Sequence, residues 1–413
     1  MQSQPDPRRV LRDLRELRAK TSVDGGAQRV AFTPGWTRAR EWYSNLLAGL
    51  PLETRRDAAG NLWSTFHGRS SRTLILGGHL DSVPNGGWLD GALDLLAGLE
   101  VVRRLASEHP EGPPLTVRLV DWADEEGARF GRSLFGSSAC SGTLDLDAAR
   151  TLRDKDGLTL PAVLAEHGID LERLHDARRE LDQAAAYLEL HIEQGPVLLD
   201  LDQPLGAVLG TFGVERHAIT FTGQAAHSGS TPMARRHDAF LAAARLGQEV
   251  YPIAQRHGGV CTIGSCATSP GIPTSVVAEC RLTLDQRHLD PAALAAMWTE
   301  ARESSERFAR EARVQVRWER LLRIDPAPFS PMLIDLADAA IRDVGAAPIR
   351  LPSGPLHDAS EMVRAGIPTA MLFVQSLHGI SHNPLEDTRE EHLELAVRAL
   401  DRLVRRTLDH LSA

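Results

Sequence analysis

Cysteine is scarce in this sequence: 4 residues in 413, at positions 140, 261, 266 and 280. None forms C-x-x-C, so neither a cysteine zinc site nor a disulfide framework is expected. The thiols read as small reduced core residues. Long apolar runs are missing too; nothing reaches the roughly 18 consecutive residues that a membrane-spanning helix needs. Residues 1–9 carry Arg and Pro with no apolar stretch behind them, so no signal peptide is expected and the cytoplasm is the default location. Positive charge is not in excess: 46 Lys and Arg stand against 55 Asp and Glu, a net charge of −9. That argues against a nucleic-acid binder, which usually shows a basic field, and leaves room for an anionic small molecule in a locally basic pocket. Repeats and low-complexity tracts are absent. What remains is an ordinary globular composition, 42% hydrophobic and 24% charged. At about 150 residues per domain it is long enough for two or three domains.

Apolar spacing predicts helices over residues 6–20, 37–50 and 91–105, and strands over 61–66, 73–76 and 115–122, with Gly77-Gly78 ending the second strand. The alternation suggests a doubly wound α/β core. Residues 152–179 read as a charged helix and 186–192 as a strand. After Pro204 the character changes. Strands over 216–222, 276–284 and 314–318, with helices over 238–254 and 291–312, make a small α+β domain. From Phe329 helix and strand alternate again, with a buried strand over 370–374. The expected fold class is therefore α/β with an inserted α+β domain. The catalytic part would span 1–207 and 326–413, the insert 208–325.

The chemistry-bearing residues fall at strand ends, where an open α/β sheet places its ligands. His79-Leu80-Asp81 follows one predicted strand, and Asp90-Gly91 comes shortly after it. Asp124-Glu125-Glu126-Gly127 follows the next. A metal-bound imidazole wants a carboxylate on or near its second nitrogen, a role Asp81 suits. Adjacent glutamates repel unless a cation sits between them. One would then ligate while the other reaches a water, and spacing leaves open which. His191, in His-Ile-Glu-Gln-Gly-Pro, also ends a strand, and His382, in Gly-Ile-Ser-His-Asn-Pro, lies in a loop after the strand 370–374. Singly, each piece is as well explained by a turn, a solvated face or a core histidine. Their order at successive strand ends is what points to a site. With Asp90 and Glu126 they offer donors for two metals, and without a thiolate Zn, Mn or Co suits them.

The stretches Gly78-His79-Leu80-Asp81-Ser82-Val83, Asn85-Gly86-Gly87-Trp88-Leu89-Asp90-Gly91, Glu125-Glu126-Gly127-Ala128-Arg129-Phe130, His191-Ile192-Glu193-Gln194-Gly195-Pro196, Ala226-His227-Ser228-Gly229-Ser230-Thr231-Pro232-Met233, Asp285-Gln286-Arg287-His288 and Ser381-His382-Asn383-Pro384 carry a resemblance. Almost end to end, the chain resembles the metallopeptidase-like amidohydrolases of hydantoinase/carbamoylase type, which include N-carbamoyl-L-amino acid hydrolase, β-ureidopropionase and allantoate amidohydrolase. Gln194 separates this subgroup from the aminopeptidases and deacylases. The resemblance implies a zinc-peptidase-like α/β/α catalytic domain with an inserted ferredoxin-like lid that forms a homodimer. It implies two divalent metals held by His79, Asp90, Glu126, His191 and His382, with Asp90 bridging. Glu125 would be the general base, and His227 would polarise the scissile carbonyl. Gln194 and Arg287 would bind substrate, Arg287 at its carboxylate, with Thr274 and His357 at neighbouring substrate positions. The implied reaction is hydrolysis of a linear ureido or amide bond. An N-carbamoyl-L-amino acid is the first expectation; allantoate or a specialised amide is the alternative. An inactive binding protein fits poorly, since all five ligand positions and the base are present.

Three positions depart from the family pattern. Asp94 and Leu356 stand where glycine is usual, and Thr274 where asparagine is usual. Asp94 would either alter the charge balance near the metals or face solvent. Leu356 could narrow the pocket, and Thr274 lacks an amide's reach. The substrate determinants thus look more altered than the catalytic set.

Overall fold

A computed structural model describes residues 4–412. The chain forms two compact units: one runs up to Leu209 and resumes at Phe329, and the other is Gly210–Pro328.

The first unit is built on a mixed sheet. Its strands are β1 (Glu53–Arg56), β2 (Leu62–Phe66), β3 (Thr73–His79), β4 (Thr116–Trp122), β5 (Ala184–Ile192), β6 (Leu205–Thr211), β7 (Arg350–Ser353) and β8 (Thr369–Val374). They run in the order β6-β8-β5-β3-β4-β2-β1, with β7 beside β6. The four central strands are parallel, and the flanking pairs antiparallel. Strands β3, β4 and β8 are buried at every residue, as parallel strands covered on both faces must be. The helices Ala92–Glu108, Glu390–Ser412 and Asp358–Arg364 pack on this sheet. With the parallel strands side by side, the C-terminal ends of β3, β4, β5 and β8 form one edge, which carries the site.

Two expectations change here. Strand β3 does not stop at Gly77-Gly78 but runs through both glycines to His79, pairing with Val120, Asp121 and Trp122. The glycines are there for close approach: a Cβ on Gly77 would lie 1.9 Å from the Tyr187 hydroxyl, and one on Gly78 would lie 2.7 Å from the Asp94 Cβ. Residues 152–179 are not one helix. An α-helix, Leu160–Glu166, ends before Gly168 at φ +73°, and a 3₁₀ helix, Leu171–Leu181, restarts with the Asp170 side chain accepting from the Glu172 amide.

The second unit is a four-stranded antiparallel sheet with two helices, in chain order strand, helix, strand, strand, helix, strand. Its sheet order is Val260–Ser269, Glu279–His288, Gly213–Thr222, Gln315–Ile324, the ferredoxin-like arrangement. The helices Ala239–His257 and Pro291–Ala312 begin at Asp238 and Asp290, whose carboxylates cap the first amides. The unit has its own core, including Ile219, Phe221, Leu246, Leu284, Met297 and Phe308. The edge strand Val260–Ser269 was not anticipated. Its sequence is rich in small and polar residues, and it has few buried positions to give the alternation that betrays a strand. No helix among the described residues is long and apolar enough to cross a membrane.

Candidate active site

His79 closes β3 with its side chain almost fully buried. Its Nδ1–H donates to the Asp81 carbonyl at 3.1 Å, which leaves Nε2 with the lone pair. Nε2 is buried and has no hydrogen-bond partner among the described residues, the state of an imidazole set to take a metal. Gly91, at φ +66°, makes the turn into Ala92–Glu108 directly over this ring; a Cβ there would sit 2.4 Å from it. Only glycine permits that turn and that approach together. His191, near the end of β5, is oriented the same way: Nδ1–H donates to the Ile192 carbonyl at 2.8 Å and Nε2 faces Asp90.

Asp90 stands between two sets of donors. Its Oδ1 is 3.6 Å from His79 Nε2 and 3.3 Å from His191 Nε2, while its Oδ2 is 3.4 Å from His382 Nε2. His382 Nε2 is also 3.3 Å from Glu126 Oε2. Thus His79–Asp90–His191 and Asp90–Glu126–His382 each gather their donor atoms within 4.8 Å. Three imidazoles and the Glu126 carboxylate around a shared Asp90 fit a pair of divalent cations of the Zn, Mn or Co type. Burial raises the Asp90 pKa, but the imidazoles of His191, His382 and His79 around it outweigh this and hold the carboxyl well below its ordinary range. Burial pushes the Glu126 carboxyl up to about 7, with Asp90 adding to the shift.

The second glutamate is placed differently. Glu125 Oε2 is 3.7 Å from His79 Nε2, yet Glu125 belongs to neither donor group. Burial raises its pKa well above the carboxylate range; Asp358, Glu126 and Asp81 add to this and His79 opposes it. Asp81 fixes the pair by an unforeseen route. Its carboxylate, 3.7 Å from His79 Nδ1, accepts the backbone amides of Glu125 and Glu126 at 3.2 and 3.1 Å. The carbonyl, not the carboxylate, orients the imidazole.

Gln194 donates from Nε2 to Asp90 Oδ2 at 2.8 Å. His357 lies behind His191, ring centroids 4.4 Å apart, with Nε2 on the Ser353 hydroxyl at 2.9 Å. Glu189, His191 and His357 also cluster. Here, however, Glu189 Oε2 accepts from the Tyr187 hydroxyl and the Ala359 amide, so this group is largely satisfied by the protein itself. Glu386 escaped the sequence reading. Its Oε1 accepts the Leu89 and Asp90 amides at 3.1 Å each and its Oε2 the Ser381 hydroxyl at 2.6 Å, so it holds the loop that presents Asp90. Gly87 makes room, since a Cβ would lie 1.9 Å from Glu386 Oε1. Asp94 faces inward rather than to solvent, 2% exposed.

His227, Thr274 and Arg287 belong to the second unit. His227 Nδ1 accepts the Gly229 and Ser230 amides at 3.1 Å each, so Nε2 carries the proton. Thr274 is exposed, and its carbonyl accepts the Ser228 amide at 3.0 Å. Arg287 donates from Nε to Asp285 Oδ1 at 2.8 Å, and Arg216 holds the other oxygen.

Comparison with known proteins gives a consistent picture. The N-carbamoyl-L-amino acid amidohydrolase of Geobacillus stearothermophilus is 35% identical over 379 residues, covering 91% of this chain and 92% of that protein. The allantoate amidohydrolase of Escherichia coli is 31% identical over 382 residues, covering 91% and 92%. The crystal structure of a hydantoinase/carbamoylase family amidase from Burkholderia multivorans superposes with a TM-score of 0.87 at 30% identity, covering 97% of each chain. Residues 75–406 match the model of peptidase family M20/M25/M40. That stretch contains every donor of the paired site, and the chain belongs to this family.

Proposed function

We propose that this protein is a dinuclear metal amidohydrolase that cleaves the ureido bond of an N-carbamoyl-L-amino acid, releasing the amino acid, CO₂ and ammonia. The observation that carries this reading is Asp90, whose two oxygens serve separate donor groups beside a buried carboxyl that belongs to neither. Bound divalent ions would supply Lewis acidity and lower the pKa of water. Glu125 takes the proton from the attacking water and delivers it to the leaving nitrogen. His227, protonated at Nε2, donates to the carbonyl oxygen as negative charge develops there. Arg287, its Nε held by Asp285, presents a guanidinium to the substrate carboxylate. Gln194, beside Asp90, positions the substrate next to the metals. Allantoate is the second reading, supported by the Escherichia coli relative and by a carboxylate that would use the same arginine.

The test is ammonia release from metal-reconstituted protein on N-carbamoyl-L-amino acids and allantoate, with a chelated control. Chelator-sensitive release from the carbamoyl series is expected. Release from allantoate alone would select the second reading, and none from either, with two ions bound, would remove the ureido assignment. In the same assay Arg287→Ala is expected to raise KM for the carboxylate substrate tenfold or more, in keeping with loss of a charge-assisted hydrogen bond. An uncharged analogue should change by less than about twofold. Equal losses on both would remove the carboxylate role.

We also propose that the protein works as a homodimer through its second unit. There Phe240, Leu241 and Tyr251 are 46%, 52% and 64% exposed on one helix, and Val260–Ser269 is an open sheet edge. Light scattering should give twice the 45.1 kDa chain mass; a monomer at micromolar concentration would overturn this.

A further inference from the structure

Asp94 lies in the first turn of the helix Ala92–Glu108, directly over the site, and is 2% exposed. Neither of its carboxylate oxygens has a hydrogen-bond partner among the described residues. Oδ2 is 3.9 Å from His191 Nε2, the nitrogen that also faces Asp90. After burial and His191, the largest electrostatic influences on it come from Glu189, His79 and Asp90. The space it occupies is provided by Gly78 on β3, where a Cβ would approach the Asp94 Cβ to 2.7 Å. A buried carboxylate without a donor or a counter-ion is strongly unfavourable. Among the described residues Asp94 has no hydrogen-bond donor, and the imidazole it faces is already shared with Asp90. The charge that would balance it is a cation at the adjacent donor group.

We propose that Asp94 is a further carboxylate of the metal centre, one that raises the affinity of the ion held by His79, Asp90 and His191 and leaves the other ion unaffected. This rests on the reading of those three residues as ligands. Asp94 acts here on metal affinity and is not itself a catalytic residue. Its ion-pair contact is with His191, a donor of the first group and not of the second, and this makes the effect one-sided.

The experiment is calorimetric titration of Mn²⁺ into the metal-stripped full chain, comparing the parent with Asp94→Asn and Asp94→Ala. The parent should bind two ions. Each variant should weaken one binding event tenfold or more, the scale of removing an outer carboxylate from a metal site, and leave the other within about twofold. The rise in Tm on adding Mn²⁺ should also become smaller in each variant. Two ions bound with unchanged affinities in both variants would overturn the proposal and leave the metal centre standing. Equal weakening of both events would mark a general structural effect and overturn it as well. No Mn²⁺ bound by the parent would remove the metal-centre reading itself. Should one variant fail to fold, the other decides.

Discussion

Glu125→Gln is expected to lower kcat by about a thousandfold or more while the protein keeps both metals. A positioned general base contributes on the order of 10² to 10⁴ in rate, and a thousandfold is about 4 kcal/mol of barrier. The substitution isolates that contribution because of where Glu125 sits. Its carboxylate is outside both donor groups, whereas its backbone amide is held by Asp81 and its carbonyl accepts the Leu134 amide at 2.6 Å. Glutamine keeps the size and the backbone bonds and removes only proton transfer. It also replaces a carboxyl whose ionised form burial already disfavours, so the fold should not suffer. Metal content by mass spectrometry and turnover on the same sample provide the check. A variant that turns over within tenfold of the parent would falsify the base assignment. Loss of metal together with activity would make Glu125 a ligand instead.

The parts of this site that were legible in the sequence are those that a strand end delivers locally. His79 closes β3, Glu125 and Glu126 follow β4, and His191 lies near the end of β5, so a short apolar or alternating strand pattern followed by a His or a Glu was enough to place them on one sheet edge. Which glutamate faces the second donor group was not legible, because it depends on the two amides that Asp81 accepts from a loop more than forty residues away. Glu386 was missed for the same reason. Its partners, the amides of Leu89 and Asp90, lie 297 and 296 residues away in sequence. The only local hint was its position just beyond Ser-His-Asn-Pro. Asp94 was visible as a departure, but sequence alone gave two opposite environments for it. Burial decided between them, and burial there depends on Gly78 of another element. In the second unit the helices showed their periodicity, while the edge strand Val260–Ser269, mostly exposed, lacked the apolar alternation that packing imposes.

Asp90→Asn should have the widest effect on the metal centre, weakening both ions where a substitution at His382 weakens one. The reason is geometric. Asp90 Oδ1 faces His79 and His191 and its Oδ2 faces His382, so a single carboxylate contributes to both donor groups. Asparagine keeps one oxygen but removes the negative charge from each group. Loss of a bridging charge between two cations is expected to reduce both affinities by at least a hundredfold, more than the tenfold to hundredfold typical of residues outside the ligand set. His382→Ala should instead spare the ion at His79, Asp90 and His191. The metal-free protein offers an independent reading of the same charge. The His382 pKa is raised, chiefly by its hydrogen bond to Asp90, with burial opposing. In Asp90→Asn that partner no longer favours the imidazolium, so His382 should titrate at lower pH than in the parent, measurable by NMR of the ring protons. The sign also carries to metal loading. Protons compete with metal for His79, His191 and His382, all of which bind protons more tightly than an ordinary histidine, so affinity in the parent should fall as pH falls. If Asp90→Asn kept one ion at the affinity of the parent, the aspartate would belong to a single site, and the shared-carboxylate reading of this edge of the sheet would have to be given up.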